Sequence, residues 1–437
     1  MSPKQLINHY SSVIILLVAL FVELAMLTVW QNKFGVYNSP IVWLTSGIFF
    51  SIAAFNLIGF KKPEIPKSLQ SIKWWRYLIV FGIFTVGSIF CAYLLREVFW
   101  GFPIDAKASD IIPSLEMYVQ RLLSGETVYK PLQFEGYAVN PTYFPMLWAP
   151  YILSEVLNID YRWTAYLVFL LAIFLYNIKL VRSDSNIFEL VFKALIPFYF
   201  IYSYRLYAWG TFGYAVELLP IGFYLLLTLT IFHKNRYLMA LGILLCLLSR
   251  YAFTFWLPLY LLIYWIEKGF KNVFIVSMNV VIGVLLLYVI PFLSKDWTIL
   301  TKGLEYYAKT AETQWETQSW QGPGEKPHHL TKGHSFAIYF YDFTEGDVSQ
   351  RLALNRKVHI AVCAFAAFLL GLGYFFFRKR GLNTKMYLLI GLKFYLLIFY
   401  GFFYVPFSYL YQLPLFLSIA ILYNVPLIQR KEQALIS

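Results

Sequence analysis

About a dozen stretches of this chain stay apolar for close to the roughly 20 residues that a helix needs to cross a bilayer. They fall near residues 13–30, 41–60, 77–95, 164–178, 187–203, 213–232, 237–249, 251–266, 272–294, 358–377, 386–404 and 409–427. Inside lipid no water is available to satisfy backbone N–H and C=O groups, so such stretches must form helices whose hydrogen bonds close within the segment. The pattern therefore predicts an all-α fold: a polytopic transmembrane helical bundle of about 12 spans, forming one domain over residues 1–437. Composition agrees, because 59% of residues are hydrophobic and only 14% charged, against roughly 45–50% apolar residues in soluble domains. Cys91, Cys246 and Cys363 all lie in apolar stretches and read as small core residues, not as a disulfide or zinc framework. The first run, Val13 to Trp30, is longer than a signal-peptide core, so it is expected to stay as a helix, with Glu23 needing a buried partner or a lumen.

Charge gives the pattern a direction. If the runs alternate from a cytoplasmic N-terminus, Lys61 to Arg76, Lys179 with Arg182, Lys234 with Arg236, Lys268 with Lys271, and Arg378 to Lys385 all fall on the cytoplasmic side. The tail with Arg430 and Lys431 joins them, so both termini are expected to be cytoplasmic. Two large loops, residues 96–142 and 295–357, are close to neutral and fall outside, so the formal excess of +13 is cytoplasmic. Tyr143 to Leu157 contains two prolines and reads as a re-entrant or interfacial segment, since counting it as a span would invert every later basic loop. The basic balance is thus a topology signal and does not indicate nucleic acid. No phosphate-binding G-x-x-x-x-G-K-[ST] motif is present, which argues against an ATP-driven pump.

The first loop carries chemistry. After Arg96, Glu97 and a stretch containing Asp105, residues Ile111 to Gly125 form an amphipathic pattern. Ile111, Ile112, Leu115, Tyr118, Val119, Leu122 and Leu123 oppose Ser114, Glu116, Gln120 and Arg121, as in a helix lying in the membrane interface. Asp110 precedes this helix and Pro113 occupies its first turn, so Asp110 reads as an N-cap that the helix dipole keeps ionised; Gly125 ends the helix. Capping and catalysis are compatible roles for one carboxylate. Tyr129 follows, and then the proline-broken aromatic run Asn140-Pro141-Thr142-Tyr143-Phe144-Pro145-Met146-Leu147-Trp148-Ala149-Pro150 returns towards the membrane. Such broken backbone is tolerated at membrane depth only against protein or a cavity.

This order of features resembles the C-type polytopic glycosyltransferase superfamily, and within it the polyprenyl-phosphate-mannose-dependent mannosyltransferases. The likeness covers about 50 residues of loop one, and the remainder only by architecture; here two helices precede the one that leads into that loop. It implies transfer of mannose or another hexose from a lipid phosphate to a glycan or glycolipid acceptor on the outer face. Asp110 would then be the general base, with Asp105 as its competitor, and Gly125, Tyr129, Tyr143 and Pro145 would be accompanying positions. Inverting transfer needs one base on the acceptor hydroxyl, because the phosphate is already a competent leaving group, whereas an inverting hydrolase needs a second carboxyl group. Cations must balance charge on the departing phosphate, and Arg205, Arg250, Lys332 and His334 are candidates. Arg205 and Arg250 also suit a simpler role, snorkelling among interfacial aromatics. Glu217 is an intramembrane carboxylate with Arg205 as its expected partner, while Glu189, Lys193 and Lys393 read as structural ion pairs.

Loop two is aromatic enough to be ordered, through Trp315, Trp320 and the run Phe336 to Tyr341, and reads as a lid. His328, His329 and His334 lack a clear ligand set. A divalent metal is therefore unsupported, and phosphate or sugar contact competes with a purely structural role. No cofactor is certain: the lipid-phosphate-linked sugar is the expected donor substrate, and a divalent metal stays open without support. Two other functions share the architecture: a transporter or flippase of lipid-linked glycans, and an oligosaccharide polymerase or ligase. A transporter usually carries internal repeats and helices broken near the midplane, and no repeat stands out here. The expected place is an integral membrane, the plasma or inner membrane if the source is bacterial, with the active face outside the cytoplasm.

Overall fold

The computed structural model describes residues 3–31, 33–60, 72–316, 321–322 and 325–428. Most of the basic connection from Lys61, the Gln318-to-Trp320 stretch and the Arg430-Lys431 tail lie outside these residues. In chain order the elements begin with α1 (Pro3–Leu27), α2 (Gly35–Ile58), α3 (Trp74–Gly101) and α4 (Ile111–Leu123). A hairpin of β1 (Leu132–Phe134) and β2 (Tyr137–Val139) comes next, then α5 (Pro145–Trp148) and α6 (Ile152–Leu157). The sequence continues through α7 (Tyr161–Val181), α8 (Ile187–Tyr207), α9 (Gly210–Tyr214), α10 (Leu218–Thr230), α11 (Arg236–Leu247) and α12 (Trp256–Lys268). It ends with α13 (Phe270–Val284), α14 (Thr298–Gln314), α15 (His328–Lys332), α16 (Ala337–Phe343), α17 (Val348–Arg378), α18 (Thr384–Gly401) and α19 (Gln412–Leu422).

Among the described residues, eight helices are long and apolar enough to cross a membrane: α1, α2, α3, α7, α8, α13 with its continuation to Val289, α17 and α18. The remaining apolar runs fold as shorter helices, among them Leu218–Thr230, Arg236–Leu247 and Ser408–Leu422. Each stops short of the length of its apolar run, so a continuous apolar run is not a continuous helix. The core lies along α19, every residue of which is buried, and along most of α18. The rim helices expose continuous apolar faces instead: Leu78, Val86, Ile89 and Phe90 on α3, and Phe365, Phe368, Leu372 and Phe376 on α17. Apolar surface on that scale suits contact with lipid.

Charges inside the bundle are paired. Lys393 Nζ donates to both Glu23 carboxylate oxygens at 2.8 Å and to the Pro414 carbonyl, which supplies the partner Glu23 needed. Lys193 pairs with Glu189 at 2.7 Å and donates to the Val425 carbonyl. Satisfying every polar atom offsets the several kcal/mol of desolvation that each buried ion costs. Elsewhere Arg76 closes the end of α7 by donating to the carbonyls of Val181, Ser183 and Ser185, which a helix C-terminus leaves without intrahelical donors.

Loop one departs from its sequence reading in two respects. It contains the small antiparallel hairpin, closed at Glu135 and Gly136, where Gly136 takes φ +86°. Helix α4 does not rest its apolar face on lipid: Ile112, Leu115, Tyr118 and Val119 are buried against α5, α6 and the turn between them. A hydrophobic stripe alone cannot tell a protein groove from a bilayer. The helix ends as expected, with Gly125 at φ +73°. Residues 143–157 form two short helices and a 3-10 turn, so they do not make a span.

Candidate functional site

The site is built where the two loops meet. Helix α3 is held at its end by Arg162, whose guanidinium donates to the carbonyls of Phe102 and Gly213 at 2.8 Å and of Phe99 at 3.2 Å. Its charge is balanced by Asp160, the N-cap of α7. This clamp fixes where loop one starts.

Asp105 lies in an exposed turn, accepting from the Lys107 amide at 2.9 Å. Asp110 is half-buried at the start of α4 but makes no side-chain capping bond. Ser109 occupies the local polar contacts instead, accepting from the Ile111 N–H and donating to the Tyr214 carbonyl. The Asp110 carboxylate has no cationic partner among the described residues, and burial raises its pKa, with only its own backbone N–H opposing. Desolvation therefore makes this carboxylate a stronger base than a free aspartate, where the sequence pointed to a helix dipole acting in the opposite direction.

Three tyrosines lie within electrostatic reach of Asp110. Burial, and secondarily the Asp110 charge, raises the pKa of Tyr137 and Tyr143; Tyr306 responds to the same charge. Tyr137 and Tyr306 are also opposite walls of an open cleft of about 540 Å³. Loop one lines it with Tyr137, Ala138 and Asn140, and α14 of loop two with Lys302, Glu305, Tyr306, Lys309 and their neighbours.

Tyr143 links Asp110 to a second charged centre. The Met146 amide donates to the Leu248 carbonyl at 2.9 Å, docking the broken segment on the end of α11 beside Arg250. Arg250 donates through Nη2 to Glu217, and its Nε is buried without a hydrogen-bond partner. Tyr143, Tyr400 and Tyr409 face this guanidinium. Neighbouring residues of α14 divide between the centres: Tyr306 faces Asp110, while Tyr307 contacts Tyr251 and faces Arg250.

Of the residues singled out from sequence, the structure thus gathers Asp110, Tyr143, Glu217 and Arg250. Glu217 pairs with Arg250, not with Arg205, which donates to Glu97 at 2.7 Å and lies against Trp209. Tyr129 is buried; its hydroxyl donates to the Tyr143 carbonyl at 2.8 Å and accepts from Trp148, so it braces the segment and does not face the cleft. His334 is buried between Trp43 and Tyr411, and Lys332 is exposed on α15, outside the cleft lining. The cleft's cations are Lys302 and Lys309, which sequence reasoning missed because only the packing of α14 on loop one identifies them. Among the described residues no group of three or more His, Cys, Asp or Glu could hold a metal ion.

Loop two packs on the bundle at several points. Trp315 donates to the Tyr404 carbonyl at 2.6 Å, Phe336 N–H to Gly401, and Lys326 bridges Tyr37 and Asp342. No family model, curated protein or solved structure matches the chain.

Proposed function

We propose that the chain is a membrane-embedded glycosyltransferase that moves a hexose, mannose in the nearest resemblance, from a polyprenyl-phosphate donor to a glycan or glycolipid acceptor. The observation that carries this reading is Asp110: a half-buried carboxylate without a cationic partner among the described residues, within electrostatic reach of the cleft residues Tyr137 and Tyr306 and of Tyr143, which also senses the Arg250–Glu217 pair. In the proposed reaction the Asp110 carboxylate takes the proton of the acceptor hydroxyl as its oxygen attacks the anomeric carbon. The bond from that carbon to the phosphate oxygen breaks, and the lipid phosphate leaves with its electron pair. Arg250, with one nitrogen held by Glu217 and Nε without a hydrogen-bond partner among the described residues, would balance that phosphate. A raised carboxylate pKa makes a stronger base, and such a base contributes typically about 10² to 10⁴-fold. The loops bearing the site would face away from the cytoplasm. A flippase reading has less support, because the deep charges Glu23, Lys393, Glu189 and Lys193 are neutralised in pairs. In a polymerase or ligase, loop-two cations would govern transfer of a preassembled glycan.

The test is turnover of a radiolabelled polyprenyl-phosphate sugar by purified protein, wild type against Asp110→Asn and Asp105→Asn. Loss with the first and retention with the second is expected. Equal turnover by Asp110→Asn and wild type sinks the base assignment, and transfer of preassembled glycan alone favours the ligase.

A further inference from the structure

Helix α14 presents two opposed faces. At about 100° per residue, Lys302, Glu305, Tyr306, Lys309 and Thr313 centre about 160° around the helix from Trp297, Leu300 and Leu304. The first set lines the cleft. The second is solvent-accessible although large and apolar: Trp297 is 64% exposed, Leu300 42% and Leu304 72%. No charged residue interrupts that stripe.

The neighbouring chain shows what covers it. Helix α13, one of the helices able to cross a membrane, exposes Ile282, Leu286 and Ile290 up to its end. Pro291, Phe292, a short 3-10 turn at Leu293–Lys295 and Asp296 separate Ile290 from Trp297. The stripe therefore continues a surface already committed to lipid, at the point where the chain leaves the bilayer. A tryptophan flanked by Lys295 and Lys302 suits the headgroup boundary, where the indole is partly wet and lysine ammonium groups reach outwards. Buried charge-free apolar area is what binds such a helix in the interface plane.

We infer that α14 is seated on the bilayer surface, with Trp297, Leu300 and Leu304 in the acyl boundary, so that the cleft wall is carried by the membrane itself. Loop two's interfacial helix is then α14, in place of the loop-one helix that the amphipathic pattern suggested. The cleft lies at headgroup depth, and whatever enters it does so alongside lipid headgroups. This inference does not depend on the transferase reading.

Spin labels on single introduced cysteines test it, with the full-length protein in lipid nanodiscs. Leu300→Cys and Leu304→Cys report the stripe, and Lys309→Cys and Thr313→Cys the cleft face. Cys91, Cys246 and Cys363 are buried, so unmodified protein gives the labelling blank. Labels at 300 and 304 are expected to collide several-fold more with oxygen, which concentrates in lipid, than with a water-soluble nickel chelate. Labels at 309 and 313 should show the reverse. Nickel access at 300 and 304 equal to that at 309 would place the stripe in water and overturn the inference. Low access to both reagents at 300 and 304 would place a protein there, a second copy of the chain or a partner, and overturn it equally.

Discussion

Arg250 donates a hydrogen bond to Glu217 across the gap between the end of α11 and the start of α10, and both charges act on Tyr143. Glu217 is buried, so removing it leaves the guanidinium without its counter-charge. Glu217→Ala is expected to cost about 3–5 kcal/mol of stability, read as a lowered unfolding temperature in detergent. The double variant Glu217→Leu with Arg250→Met should recover most of that loss, because two apolar residues need no pairing. Its turnover should stay absent if Arg250 balances the phosphate. Recovery of both stability and turnover would make the pair structural only.

Asp110 couples stability and turnover with opposite signs. Its folded-state pKa is raised by burial, so at neutral pH the fold holds an ionised carboxylate against desolvation. That penalty is absent below the ordinary carboxylate range and appears as pH rises through the folded value. Asp110→Asn removes it, and is expected to leave the unfolding temperature at pH 7 unchanged or higher while turnover falls about 10² to 10⁴-fold. In the wild type the acid limb of kcat/KM should lie above the pKa of about 3.9 of an unperturbed aspartate. A limb at or below that value contradicts the assignment.

How much of this could be read from sequence depended on the range of the interaction. Apolar runs placed helices at each stretch because lipid allows no alternative backbone, and Gly125 marked the end of α4 through a local φ requirement. The partners of Glu23 and Glu217 were out of reach, since Lys393 and Arg250 meet them only through packing across the bundle. The stripe on α4 was correctly found and wrongly faced. Its periodicity records burial, and the broken segment α5–α6 supplies the cover that a bilayer was expected to provide. Lys302 and Lys309 look like ordinary exposed lysines in a charged helix, and only the loop-one hairpin opposite makes them part of a cleft.

Tyr129 tests whether the site depends on that broken segment. Tyr129→Phe keeps the ring among Tyr118, Trp148 and Phe292 but leaves the Tyr143 carbonyl and the Trp148 N–H without their partner. A loss of about 1–3 kcal/mol is expected. Because Tyr143 senses the charges of both Asp110 and Arg250, turnover should fall further than stability alone explains, with kcat affected more than the donor KM. An unchanged kcat would show that Tyr143 holds its place without this brace.

His334 gives the chain a stability that depends on pH. Burial between Trp43 and Tyr411 lowers its pKa to about 4, with the Met26 carbonyl partly opposing. In the unfolded chain it titrates near about 6.5. Between those values the unfolded state binds a proton that the folded state does not, so stability is full above the upper one and declines as pH falls towards the lower. At about 1.4 kcal/mol per pH unit between the two values, the decline is on the order of 3–4 kcal/mol. His334→Gln cannot take up a proton in either state. Its unfolding temperature should start lower at pH 7.5, from lost packing against Trp43, yet fall less between pH 7 and pH 4.5 than that of the wild type. Parallel slopes for the two proteins over that interval would mean that His334 takes up its proton as readily in the fold as in the unfolded chain, which its enclosure by two aromatic rings does not accommodate.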